Sequence, residues 1–224
     1  MKRKREDDDM SHVEPRSVAD VPGLAPVFAG AEAAMGFVPN SMLTMAHMPQ
    51  LPVGFMMLVN VIFGGDLKAI MEQMQALVPE LEDPEAAIAP GLVQLIAFAG
   101  SVSSGCRYCQ AHTSHNAHGM GEAQSKYDDV LSFETSPAYS EPERAAVALA
   151  LAAGAVPNEA TPEHFERLRE HFSERQIVQI VAVISIFGFL NRWNDTMATQ
   201  LEQPAVDFAS GALDAVGWQL GKHG

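Results

Sequence analysis

From Ser173 to about Leu201 the chain carries Ile177, Ile180, Val181, Ile184 and Phe187 at the three- and four-residue intervals that line up on one face of an α-helix. Ser173 is a capping residue, and Gln176 stands at the capping-box position three residues on. The same period recurs in Leu92, Leu95, Ile96, Ala99 and Val102. A strand needs a period of two to bury one face, and no alternating apolar–polar run of strand length occurs. The pattern predicts an all-α fold.

Punctuation residues divide the chain. Nothing before Val21 has apolar periodicity, so residues 1–20 read as a disordered tail and residues 21–224 as one all-α domain. Pro22 to Met35 is short and Ala-rich. Phe37 to Ser41 is a turn into a Met-rich stretch, Met42 to Phe63, interrupted by Pro49 and Pro52. Its methionines read as flexible core filler. Gly64-Gly65 ends that stretch, and Asp66 caps a helix from Leu67 to about Val78. Asp83-Pro84-Glu85 restarts the chain, and Ser103-Ser104-Gly105 breaks the following helix just before Cys106. A second helix runs from Cys109 to about Met120. Ser140-Glu141-Pro142 and Thr161-Pro162 open two more, Gly154 closes the first of these, and a last helix covers Ala205 to Leu220.

Fourteen basic residues against 28 acidic ones give a net charge of −14. Met1 to Asp9 holds four of each sign, so the whole imbalance sits on the body. Such a body repels nucleic-acid backbones and anionic membrane surfaces. No run of twenty apolar residues is present. The two cysteines are three residues apart, too close to staple distant elements, and the N-terminus has no apolar signal segment. A reducing cytoplasm is the expected compartment.

Val93-Gln94-Leu95-Ile96-Ala97 and Val178-Gln179-Ile180-Val181-Ala182 match at an offset of 85. Carried on, the offset sets Arg107-Tyr108 on Arg192-Trp193, and Cys106 and Cys109 on Asn191 and Asn194. Two related helical halves, only the first bearing thiols, would give this pattern, as would two buried helices of similar composition.

Cys106-Arg107-Tyr108-Cys109 at a helix start is the arrangement of a dithiol redox centre, because the unpaired N–H groups there favour thiolate. His112 is one turn beyond Cys109 and can exchange its proton, with His115 and His118 following. A zinc site competes, but positions 106, 109, 112 and 115 drift about 60° per step around a helix and do not converge on a tetrahedron. No cofactor or metal is expected. From the residues alone, either cysteine can attack first: Cys106 lies nearer the helix start, and Cys109 nearer His112.

Ser103-Ser104-Gly105-Cys106-Arg107-Tyr108-Cys109-Gln110-Ala111-His112 resembles the signature of the carboxymuconolactone decarboxylase and alkylhydroperoxidase D-like superfamily. Phe37-Val38-Pro39-Asn40 and Phe189 to Asp195 resemble its flanking segments, so the likeness spans about Phe37 to Leu201. It implies an all-α homo-oligomer, typically a trimer or hexamer. In the CxxC-containing, peroxidase-related branch it implies thiol-dependent hydroperoxide reduction, with Cys109 attacking and Cys106 resolving. An external dithiol would reset the pair. The family histidine falls where this chain has Thr113, which shifts the role to His112 with His115 in reserve. The family's relay glutamate falls on Gln94, which cannot take up a proton. Twelve residues of straight helix span about 18 Å, so Gln94 reaches the thiols only if the chain folds back at Ser103-Ser104-Gly105. The rivals are a non-catalytic helical oligomer, a metal-binding protein, and an enzyme for a small acid or lactone using Arg107 and Arg192.

Overall fold

The computed structural model describes residues 11–75, 78 and 86–224, and among these every regular element is a helix. The chain divides into two compact units, Met1–Ala87 and Ile88–Gly224, where the sequence reads as one domain after a tail.

In the first unit, residues 11–20, which the sequence reads as tail, are mostly exposed and make a few contacts. Val13 is buried, the Arg16 N–H donates to the Leu43 carbonyl at 3.1 Å, and Ser17 and Asp20 form a capping box. Then come α1 (Ala25–Met35), α2 (Asn40–Met45), α3 (Gln50–Ile62) and α4 (Leu67–Met74). Pro52 lies in the first turn of α3, where the N–H it lacks has no intrahelical acceptor, so it starts the helix instead of interrupting it. Asp66 caps α4 through Oδ1, 2.8 Å from the Lys68 nitrogen. Leu24, Val27, Phe28, Met42, Val53 and Met74 form the core, with Met56 and Met57 at its edge, as filler methionines should be. Helix α4 stops at Met74, short of Val78, and the restart at Asp83-Pro84-Glu85 lies outside the described residues.

The second unit holds α5 (Pro90–Ser104), α6 (Arg107–Gly119), α7 (Gln124–Asp128), α8 (Glu141–Gly154), α9 (Pro162–Arg169), α10 (Glu174–Met197) and α11 (Gln203–Ala212). Helix α5 is its centre, with Leu95 to Ala99 inaccessible and α6, α8 and α10 packed around them. The α5–α8 crossing is close because Gly154 has no side chain: a Cβ there would sit 2.8 Å from the Gly100 oxygen. Capping boxes at Ser140, Thr161 and Ser173 start α8, α9 and α10 as the sequence predicts.

Helix α10 buries Ile177, Ile180 and Ile184 but leaves Val181 exposed. It ends at Met197, with Ala198 left-handed at φ 47°, four residues before the expected Leu201. Among the described residues it is the one helix long and apolar enough to cross a membrane. It packs on α5, α6 and α8 and buries Asn191 and Asn194. The last helix is also shorter than expected. Leu213 leaves helical geometry, Gly217 turns the chain at φ 64°, and Trp218 then points inward to donate to the Arg107 carbonyl at 2.9 Å.

Candidate active site

Helix α5 ends at Gly105, left-handed at φ 78°, a conformation open to glycine at no steric cost. The chain folds back there, and the Cys106 N–H donates to the Ser101 carbonyl at 3.1 Å. Cys106 is thereby the N-cap of α6, and its Sγ accepts the Cys109 backbone N–H at 3.4 Å. Both cysteines are free and buried, 1% and 3% exposed, so reagents in bulk water do not meet the sulfurs directly.

Helix α10 forms the opposite wall. The Asn194 amide donates to Cys109 Sγ at 3.5 Å, and the Asn191 amide donates to Ser104 Oγ at 2.8 Å while its oxygen accepts from Ser101 Oγ at 3.0 Å. The residue that the 85-position offset pairs with Cys109 is the one that touches it.

The two thiols are unequal. Cys106 is held below the ordinary thiol range by hydrogen bonding from the Cys109 thiol and backbone N–H, against the opposing effect of burial. Cys109 is pushed well above it by the adjacent Cys106 sulfur and by burial, with Asn194 pulling weakly the other way. This acidity order is the reverse of the one expected with Cys109 as the attacking thiol. The N-cap position directs backbone N–H groups to Cys106, which favours its ionisation over that of Cys109.

His112 pairs with Glu202. Its Nε2 lies 2.8 Å from Glu202 Oε2, and the Tyr108 hydroxyl donates to Oε1 of the same carboxylate at 3.2 Å. The Tyr108 and His112 rings are 4.5 Å apart. Burial and Glu202 raise the Tyr108 phenol above its ordinary value, so it stays protonated. His115 is exposed and faces Phe208, with ring centres 5.4 Å apart, on the side of α6 toward α11. Thr113 is buried, its hydroxyl donating to the Cys109 carbonyl at 2.7 Å.

The fold-back at Gly105 that Gln94 would need does occur, and Gln94 lies ten residues before the end of α5. Its Oε1 is buried without a hydrogen-bond partner.

Tyr108, Glu202, Asp195 and His223 were not singled out as site residues from sequence. Tyr108 carried a signal, because it lies between the cysteines. Asp195 carried a weaker one, next to the offset-matched Asn194. Glu202 and His223 reach the site by tertiary folding alone. Among the described residues, no group of three or more His, Cys, Asp and Glu side chains is arranged to hold a metal ion.

The sequence model of the carboxymuconolactone decarboxylase family matches residues 68–152. The uncharacterized protein YdfG of Bacillus subtilis (strain 168) is 32% identical over 103 residues, 45% of this chain and 67% of that protein. A crystal structure of a cysteine-to-alanine variant of the debrominase Bmp8 in complex with 2,3,4-tribromopyrrole is 34% identical, covering 94% of this chain and 100% of that one, with a TM-score of 0.53. The apo form of Bmp8 is 36% identical over 91% of this chain and 97% of that one, also with a TM-score of 0.53.

Proposed function

This chain belongs to the carboxymuconolactone decarboxylase family, and we propose that it is a two-thiol reductase acting on a hydroperoxide. The observation that carries the reading is the N-cap geometry: Cys106 Sγ accepts the Cys109 N–H, with the Cys109 thiol as its immediate neighbour. Cys106 thiolate attacks the terminal peroxide oxygen, the O–O bond breaks, and the alkoxide takes a proton and leaves as alcohol. Cys106 is then a sulfenic acid. Cys109 attacks its sulfur, the S–O bond breaks, and water departs with the Cys109 proton, leaving the disulfide. An external dithiol returns both cysteines to thiols by exchange. Tyr108, Glu202 and His112 form a hydrogen-bonded chain next to the pair that can supply the proton for the leaving oxygen.

A second electrophile is favoured by the likeness to the debrominase, which extends over nearly the whole chain. With a brominated, electron-rich ring, the ring carbon takes a proton and Cys106 takes the bromine, breaking the C–Br bond. Cys109 then displaces bromide to give the same disulfide and release hydrogen bromide. Both routes oxidise the pair by two electrons.

A second copy of the chain completes the molecule in this reading. Phe189, Trp193 and Met197 are exposed along α10 beside an open groove of about 1010 Å³ in the second unit, more apolar surface than one core uses. Sedimentation giving only monomer would remove that part.

The test supplies dithiothreitol with either cumene hydroperoxide or 2,3,4-tribromopyrrole and measures cumyl alcohol and released bromide. Turnover of the peroxide, lost in Cys106→Ser, supports the first reading. Bromide release alone supports the second. Neither substrate being consumed, with both thiols still titratable, overturns both.

A further inference from the structure

Gln110, the residue after Cys109, is buried with both ends of its amide engaged. Its Nε2 donates to the Ser101 carbonyl at 3.1 Å, and its Oε1 accepts from the Arg107 guanidinium at 3.3 Å. A carbonyl can only accept and a guanidinium can only donate, so these partners fix which end of the amide is which. The same Ser101 oxygen accepts the Cys106 N–H at 3.1 Å and the Gly105 N–H as well. The Gln110 backbone N–H in turn donates to the Cys106 carbonyl at 3.1 Å. Ser101, Cys106 and Gln110 thus close a ring of hydrogen bonds across the corner between α5 and α6, and both polar groups of the Cys106 backbone lie in it. Cys106 itself is extended, at φ −76° and ψ 101°, with its Sγ 3.4 Å from the Cys109 nitrogen.

We infer that Gln110 is a positioning residue for Cys106: by tying the first turn of α6 to the Ser101 carbonyl, it holds the Cys106 sulfur against the Cys109 N–H. The joint between the two helices is Gly105, left-handed at φ 78° and of the residue type with the widest choice of backbone angles. The ring supplies the stiffness that this joint lacks. Without the Gln110 amide, the last turn of α5 and the first turn of α6 keep only the backbone bonds at the corner itself. The sulfur then loses its fixed distance to the N–H that favours its charged form. Arg107 holds the far end of the amide, which keeps Nε2 turned to Ser101. Gln110 therefore acts on the chemistry through the Cys106 backbone. The inference rests on the two-thiol reading, since it concerns the thiol that attacks.

The test is ultraviolet titration of thiolate in the full chain, with the rate of thiol loss to cumene hydroperoxide at pH 7, for the parent, Gln110→Met and Gln124→Met. Gln124 ties α7 to α11 in the same manner, its Nε2 donating to the Ala212 carbonyl at 2.6 Å, and controls for loosened packing. Gln110→Met is expected to move the first thiol midpoint up by about half a pH unit and slow oxidation about threefold. Gln124→Met loses stability to urea but keeps the parent midpoint and rate. Gln110→Asn carries an amide one methylene short of the Ser101 carbonyl, shifts both readouts the same way, and serves if Gln110→Met does not fold. The parent midpoint and rate in a folded Gln110 variant overturn the inference, as does an equal shift in Gln124→Met, which marks a merely structural role. A parent with no thiol titrating below the ordinary range, or whose thiols survive the peroxide, overturns the two-thiol reading itself.

Discussion

Asn194 donates its side-chain N–H to the sulfur of Cys109 at 3.5 Å, joining positions 85 residues apart on α6 and α10. Asn194 is buried, so its amide cannot turn to water in place of the thiol. A donor aimed at sulfur favours the charged form of Cys109, the form that attacks a neighbouring sulfenic acid. Asn194→Leu is expected to leave oxidation of Cys106 unchanged and slow disulfide closure about three- to tenfold, in line with one weak hydrogen bond of about 1 kcal/mol. Trapping the sulfenic acid with dimedone over time measures this, as a longer-lived intermediate.

The unequal acidity of the two thiols gives a directional pH dependence. Cys106 is held below the ordinary thiol value and reacts as the thiolate. The rate of its oxidation should therefore rise with pH and level off below about pH 8.5, the midpoint of a free cysteine. Cys109 keeps its proton well past that range, so it adds no second rise. Single-turnover rates between pH 5 and 9 at constant ionic strength measure the profile.

Glu143 joins a helix cap to a partly buried ion pair. Its carboxylate accepts from the Ser140 N–H at 2.9 Å and from Lys126 at 2.6 Å, and Lys126 also meets Glu122 at 2.8 Å. Burial raises the Glu143 carboxyl, but Lys126 and Ser140 outweigh it and hold it low. A carboxyl held low in the folded state stabilises above its unfolded value, about 4.3, and that contribution is lost as pH falls through the folded value. Glu143→Gln should cost about 1–2 kcal/mol at pH 7. The difference from the parent should close below about pH 4, read from urea unfolding at both pH values.

Gly154→Ala tests the α5–α8 crossing. The added Cβ would lie 2.8 Å from the Gly100 oxygen and 3.0 Å from its Cα, backbone atoms that move only with the helix. Ser103 Oγ donates to the Leu151 carbonyl at 2.6 Å across the same contact, so the helices cannot part without losing that bond too. A loss of about 1–3 kcal/mol in urea unfolding is expected, despite the better helix propensity of alanine.

Local chemistry explains what was legible in the sequence. Ser140, Thr161 and Ser173 cap their helices with their own side chains and neighbours three residues on, so α8, α9 and α10 start where the sequence says. Cys106 sits at a helix start for the equally local reason that Gly105 can turn left-handed. Endings were less legible. Helix α11 stops at Ala212 because Trp218 is drawn back to the Arg107 carbonyl, 111 residues away. His112 looked like the base for Cys109 by spacing along α6, yet Glu202, 90 residues on, takes its Nε2. Gln94 required only that the chain fold back. It does, and the Gln94 Oε1 is buried without a hydrogen-bond partner. The offset of 85 pointed to Asn194 as the partner of Cys109, while α10 runs unbroken where α5 and α6 are divided by Gly105.

The order of the cysteines tests the account most directly. Cys109→Ser and Cys106→Ser would each receive one equivalent of cumene hydroperoxide with dimedone present, and peptide mass mapping would locate the adduct. The account predicts a stoichiometric adduct on Cys106 in Cys109→Ser and little or none on Cys109 in Cys106→Ser. An adduct on Cys109 alone, with Cys106 inert, would contradict it.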